Sequence, residues 1–227
     1  MCGRYTLVTE MDELAEEFGL RELPDWKGPI VRYNIAPTQM APVIRASSDA
    51  TGRELLELKW GLIPFWAKEP GIGNRMINAR SEEVEKKPAY RAAFRHRRCL
   101  IPATGFFEWM KNDDGSKQPH LIRREDGHPF ALAGLWEHWA GGGDGPIESF
   151  TILTTEPNDL LRRLHNRMPV ILKPVDYARW LDTGLQDVPQ LKSLLQPAAP
   201  RSWTAYPVGR RVNSPRHDDA ACIEPAA

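Results

Sequence analysis

Cys99-Leu100-Ile101-Pro102-Ala103-Thr104-Gly105-Phe106-Phe107-Glu108-Trp109-Met110 is the stretch that decides the fold class. An apolar run, a Thr-Gly turn and an aromatic run read as two strands in immediate succession. One carboxylate, Glu108, stands among the aromatics of the second strand. If buried there, its neighbours raise its pKa. A carboxyl group poised near neutral pH is what a general acid/base requires. As the solvent-facing member of an alternating strand, Glu108 would carry no such role.

Strand signals continue on both sides. Residues 112–116 read as a hairpin turn, with strands near His120–Arg123 and Phe130–Leu135. Ser149–Thr154, Val170–Leu172 and Trp203–Val208 add further strands. Upstream, Arg4–Val8 is a short strand. Met40–Ala46 and Glu54–Trp60 read as a pair around a turn at 49–52. Helices are few. Met11, Leu14, Ala15 and Phe18 recur at helical spacing, with Thr9 as the predicted N-cap and Gly19 as the stop. Ser81 is predicted to cap a helix with Glu82 and Glu83 in its first turn. A helix is also expected within the basic window 88–98, where Arg91, Arg95 and Arg98 would share a face. Short helices are expected at Asn158–Leu164, Pro174–Leu181 and Val188–Leu195. The glycine-rich loop 141–145 follows no strand-to-helix pattern and is not read as a phosphate loop. There is no internal repeat and no clear linker. The organisation is one α+β domain over residues 1–213, with a polar tail, 214–227, expected to be disordered.

The 227 residues are 41% hydrophobic and 26% charged, ordinary for a globular chain. Lys+Arg and Asp+Glu are 30 each, so strong non-specific duplex binding has no electrostatic basis, although a local basic groove remains open. No run reaches membrane-span length, and acidic residues from Glu10 to Glu17 rule out a signal peptide, which makes the cytoplasm the default compartment. Cys2, Cys99 and Cys222 make no disulfide framework and no zinc spacing, so neither a metal nor another cofactor is expected.

The N-terminus is Met1-Cys2-Gly3-Arg4. Cys is small enough for Met1 to be removed, which would leave an α-amine and a thiol on adjacent carbons. That pair condenses with an aldehyde and closes a five-membered thiazolidine ring. On position alone, a buried structural cysteine is an equal reading. Asn78 and Arg80 precede Ser81. His165 lies before the irregular segment Asn166-Arg167-Met168-Pro169. Trp66 follows the aromatic, proline-containing segment Gly61–Phe65, and Pro37 interrupts Tyr33-Asn34-Ile35-Ala36.

Taken together, Met1–Arg4, Met76–Glu82, Gly105–Trp109 and His165–Pro169 stand in the order seen in one family, joined by Tyr33–Pro37 and Trp60–Leu62. The chain closely resembles the SRAP family, SOS response-associated peptidase-like proteins, from residue 2 to about Asn213. Its members are abasic-site processing proteins that crosslink to single-stranded DNA. The resemblance implies a barrel-like core of mixed, mostly antiparallel sheets with peripheral helices. It implies Cys2, Asn78, Glu108 and His165 as catalytic residues, acting on single-stranded DNA with an abasic site, in a monomer associated with the nucleoid when DNA-bound. It also implies Arg4, Arg80 and Arg98 at phosphates, Trp66 stacked on a base and Pro37 wedged beside the lesion. Removal of its own Met1 and a lyase side reaction belong to the same expectation. Thr104, Phe107 and Asn166 depart from the family's usual residues, none of them at a catalytic position. Two other enzyme classes compete. Class II glutamine amidotransferases also begin Cys-Gly, with the amine as base, but their glutamine-binding pattern is missing here. A general peptidase and a passive reader of single-stranded DNA are the remaining alternatives.

Overall fold

The computed structural model describes residues 2–47, 52–141 and 145–226. Met1, the turn at 49–52 apart from Gly52, and the centre of the glycine-rich loop lie outside the described residues. The strands in chain order are β1 (Tyr5–Thr9), β2 (Ile30–Ile35), β3 (Met40–Ala46), β4 (Arg53–Trp60), β5 (Asn78–Arg80), β6 (Arg98–Ala103) and β7 (Gly105–Lys111). They continue with β8 (Lys117–Arg124), β9 (Phe130–Trp139), β10 (Ile147–Thr155), β11 (Met168–Pro169), β12 (Ile171–Leu172) and β13 (Trp203–Pro207). The α-helices are α1 (Met11–Phe18), α2 (Arg91–His96), α3 (Tyr177–Leu181) and α4 (Val188–Ser193).

Two sheets divide these strands. One runs β13-β8-β7-β1-β2. The other runs β11-β10-β4-β3-β6-β9-β12, and an additional β9–β10 pairing closes β10-β4-β3-β6-β9 into a five-stranded barrel. Closure removes the sheet edges that would otherwise invite pairing with other chains. Most ladders are antiparallel; β10 pairs β4 and β5 in parallel. This is the mixed, barrel-centred α+β fold expected from the sequence, with the helices outside.

The core is continuous from Cys2, Tyr5 and Leu7 through Trp60, Leu100, Phe106, Leu132 and Phe150 to Trp180. Trp60 lies edge-on to Tyr5 and stacks with Phe150, so it ties β1 to the barrel. A second cluster of Phe107, Leu121, Val208, Val212 and Cys222 packs on the other face of β7 and β8. Strand alternation therefore sends Phe106 and Glu108 one way and Phe107 and Trp109 the other.

Several local expectations change. Helix α1 starts one residue later than predicted. Glu10 holds its cap position, and the Thr9 hydroxyl donates to Glu13 Oε2 at 2.7 Å. Gly19 does end it, in the left-handed conformation. No helix follows Ser81. Its N–H donates to Thr154 O at 2.9 Å, because β5 pairs with β10 and carries that ladder one residue further. The expected helix 158–164 shortens to a 3-10 turn, Leu161–Arg163, with Asn158 Oδ1 accepting from Leu161 N–H.

The tail beyond Asn213, expected to be disordered, is docked. Asp218 Oδ1 accepts from the backbone N–H groups of Tyr33 and Asn34. Cys222 is fully buried, and Val208 bridges to Pro225. Polar composition misled here because these polar groups bond to the protein rather than to water.

Arg98 is the clearest correction. It opens β6 instead of lying on a basic helix face, and it is buried. Its guanidinium donates to Phe94 O, Arg95 O, Trp180 O, Asp182 O and Leu185 O. These carbonyls cluster at the C-terminal ends of α2 and α3, where free acceptors and the helix dipole favour a cation. A guanidinium so enclosed has no path to a phosphate. Arg98→Ala is expected to cost about 3 kcal/mol or more, since hydrogen bonds to charged groups contribute roughly 1.5–3 kcal/mol each and the carbonyls lose their partner. Chemical denaturation measures it. An unchanged midpoint would contradict the assignment.

Candidate active site

Cys2 is fully buried. It precedes β1, whose Tyr5 pairs with Phe106 of β7, and Arg4 O accepts from Phe107 N–H at 3.0 Å. This pairing lays the N-terminal arm along β7 and brings Cys2 within electrostatic reach of Glu108. Burial, then the Glu108 charge, push the Cys2 thiol well above its ordinary value. The sulfur is therefore a protonated thiol at neutral pH.

Asn78 joins the arm to the barrel. Its Nδ2 donates to Cys2 O at 2.8 Å. Its Oδ1 is buried without a hydrogen-bond partner among the described residues, which leaves an acceptor beside Cys2. Parallel pairing of Asn78 with Ile152 fixes the strand that carries it.

Glu108 is almost completely buried, on the face of β7 that it shares with Phe106 and opposite to Phe107 and Trp109. Burial is the largest cause of a pKa raised from 4.5 to about 7. His120 stands directly opposite in the β7–β8 register and therefore on the same sheet face. Sequence reading missed this neighbour. Counting the register back from the 112–116 turn would have found it.

His165 is half-buried, and burial holds its pKa below the ordinary imidazole value. Arg167 N–H lies 3.0 Å from His165 Nδ1. A backbone N–H only donates, so Nδ1 accepts and the neutral ring carries its proton on Nε2. Arg167 anchors this segment. It grips Glu82 with two bonds, at 2.7 and 2.8 Å, and donates to Thr154 O at 2.6 Å. Since Thr154 pairs with both Arg80 and Pro169, β10 holds the Asn78 and His165 segments side by side.

The residues expected at DNA divide into two groups. Arg80 and Trp66 are exposed, Trp66 at 49% and its neighbour Phe65 at 60%. Their loop is held at both ends: Ile63 N–H donates to Ser149 Oγ at 2.8 Å, and Trp139 Nε1 donates to Ala67 O at 2.7 Å. Gly61, at φ 127°, meets Gly73 so closely that a Cβ there would lie 2.6 Å from Gly73 O. Both rings are thus displayed on a pinned loop. Pro37 is partly exposed, and the next residue, Thr38, has φ 74°, a strained value for a β-branched residue. Thr38 N–H bonds Trp60 O at 2.8 Å, which sets the Pro37 turn beside the start of that loop. Such strain concentrates at functional sites. Arg4 is half-buried instead, donating to Asn34 Oδ1, Val212 O and Asn213 O. Arg98, as shown above, is internal.

A protein whose N-terminal arm, β5 and β7 meet over a buried thiol and a near-neutral carboxyl is defined by that junction. The chain belongs to the SOS response associated peptidase (SRAP) family, whose model matches residues 1–215. It is 40% identical over 225 residues to abasic site processing protein YoqW of Bacillus subtilis, covering 99% of each chain. It is 28% identical over 263 residues to abasic site processing protein HMCES of Xenopus tropicalis, covering 98% of this chain and 78% of that one. A crystal structure of a protein from Bacteroides thetaiotaomicron superimposes with a TM-score of 0.86 at 26% identity, covering all of both chains. One from Bordetella bronchiseptica gives 0.75 at 26% identity, over 92% of this chain and 100% of that one.

Proposed function

We infer that this protein processes abasic sites by forming a covalent crosslink between Cys2 and single-stranded DNA. The observation that carries the reading is the junction itself: a buried Cys2, an Asn78 bonded to its carbonyl, and Glu108 held near neutrality beside it. The relatives' names, abasic site processing protein, support the substrate class.

Loss of Met1 exposes the Cys2 amine. The abasic sugar opens when its C1′–O4′ bond breaks. O4′ takes a proton, for which His165 Nε2–H is the donor, and the C1′ hydroxyl loses one to become the aldehyde. The amine adds to C1′ with transfer of its proton to the new oxygen. That oxygen leaves as water after a second protonation, giving the imine. The thiol then adds across C=N, its proton passing to nitrogen. The net change is loss of one water. A carboxyl with a pKa of about 7 both gives and takes protons at neutral pH, so Glu108 serves these transfers. Free α-amines titrate near ~8, so a base is needed to supply the neutral amine. Asn78 Oδ1 is the acceptor placed to hold it. Having amine and thiol on one residue makes ring closure intramolecular. Trp66 offers a stacking surface to a base, and Arg80 a cation to a phosphate. β-Elimination from the imine, with loss of a C2′ proton to a base and of the 3′ phosphate as the C3′–O bond breaks, would be the lyase side reaction.

Incubating the processed protein with single-stranded DNA carrying one abasic site tests this. A slower band that survives denaturation is expected, and none with undamaged DNA. The absence of any covalent band would sink the proposal.

A further inference from the structure

We propose that the C-terminal segment 212–218 is a strap that positions the reacting N-terminal arm, with Asn34 as its positioning residue. The inference rests on the crosslinking function given above.

Asn34 is fully buried, yet every polar atom of its amide is engaged. Its Nδ2 faces Val212 O, Ser214 O and His217 O at 3.2, 3.0 and 2.7 Å. Its Oδ1 accepts from Arg4 at 2.8 Å. Arg4 in turn donates to Val212 O and to Asn213 O. One buried amide therefore joins the strap to a residue two positions from Cys2. A lost partner here leaves buried groups unsatisfied, which is costly and makes the arrangement single-valued.

Asp218 adds a second link. Besides the Tyr33 and Asn34 amides, it takes Arg32 Nε at 2.6 Å. Arg32 donates onward to Gln39 Oε1 at 2.9 Å, and that same oxygen accepts Ala36 N–H at 3.0 Å. The chain of bonds ends at the Pro37-Thr38 turn. Trp109 Nε1 fastens the strap at its start, donating to Asn213 Oδ1 at 2.8 Å. The strap lies against the face of β7 opposite Glu108, since it packs with Phe107 and Trp109. It therefore needs no contact with the lesion: it would set the position of the arm from behind.

Displacement of reacting groups by about 1 Å can cost roughly a hundredfold in rate. A strap variant should slow the chemistry and leave DNA affinity alone. A lost phosphate contact would do the opposite, weakening binding and lowering the salt slope by about 1. The experiment compares wild type, Asn34→Ala and Asp218→Ala. Crosslinking rates are measured over a range of abasic single-stranded DNA. Affinity is measured with the same strand carrying a tetrahydrofuran site, which has no aldehyde. Both variants are expected to lose roughly tenfold or more in the rate at saturating DNA. Affinity and salt slope should stay within about twofold of wild type. Asp218→Ala changes only a partly exposed side chain and carries the test if Asn34→Ala does not fold. A saturating rate within about twofold of wild type overturns the proposal, and so does a loss confined to affinity. A wild type that forms no adduct overturns the crosslinking function instead.

Discussion

Cys2→Ala is expected to abolish the denaturation-resistant adduct, while affinity for single-stranded DNA with an aldehyde-free site should stay close to wild type. The alanine variant keeps its amine and can still form the imine, but imines hydrolyse and no thiol is present to trap this one. Effective molarities of roughly 10⁵–10⁸ M for well-placed intramolecular partners show why an added thiol would not replace the lost one. The complementary variant keeps the thiol and blocks the amine, by placing an uncleavable residue before Cys2. It too should give no stable adduct. Denaturing gels read both. A stable adduct from the blocked variant would show that the sulfur acts alone and would end the ring-closure mechanism.

Glu108→Gln should move activity and stability in opposite directions. General acid–base catalysis contributes roughly 10²–10⁴-fold, so the crosslinking rate should fall by that order. Stability follows from linkage. The folded pKa, about 7, lies above the ordinary 4.5, so the native state holds this proton more tightly. The stability tied to this proton is fully present below pH 4.5 and is lost as pH rises through 7. That loss amounts to about 3 kcal/mol above pH 7. Glutamine does not ionise. The variant should therefore be more stable than wild type at pH 8 by up to about 3 kcal/mol, with the difference closing toward pH 4. Urea denaturation at the two pH values measures it. A variant less stable than wild type at pH 8 would show that Glu108 is not held in a site that disfavours its charge.

The burial that raises the Glu108 pKa was suggested by the sequence itself. A lone Glu among aromatic residues conflicts with local pattern, and such conflicts concentrate at working sites. Cys2, Asn78 and His165 were singled out because each sits in a short motif whose order along the chain is distinctive. The strand-rich class followed from period-two patterning and turn residues. Barrel closure came from the family resemblance and not from patterning, since the β9–β10 pairing is a tertiary event.

Arg98 shows the limit of spacing arguments. Spacing placed it on a face with Arg91 and Arg95, but it lies beyond the end of α2, where free carbonyls pull it inward. Ser81 shows the same limit: a capping residue type did not start a helix where the β5–β10 ladder runs on through its N–H. The tail illustrates the reverse error, since Asp218 satisfies backbone donors of β2 that no sequence pattern reveals. His120 and the Arg167–Glu82 pair depend on register and on long-range pairing.

Ring closure at Cys2 gives a product of defined mass with its sulfur capped, and intact-mass analysis of the adduct measures both. Protein lacking Met1 is mixed with abasic single-stranded DNA, without borohydride, and the product is weighed and treated with a thiol-alkylating reagent under denaturing conditions. The thiazolidine predicts the summed mass of protein and DNA less one water, with the Cys2 sulfur closed to alkylation. An adduct that survives only after borohydride reduction, or one whose Cys2 sulfur still alkylates, would contradict the account.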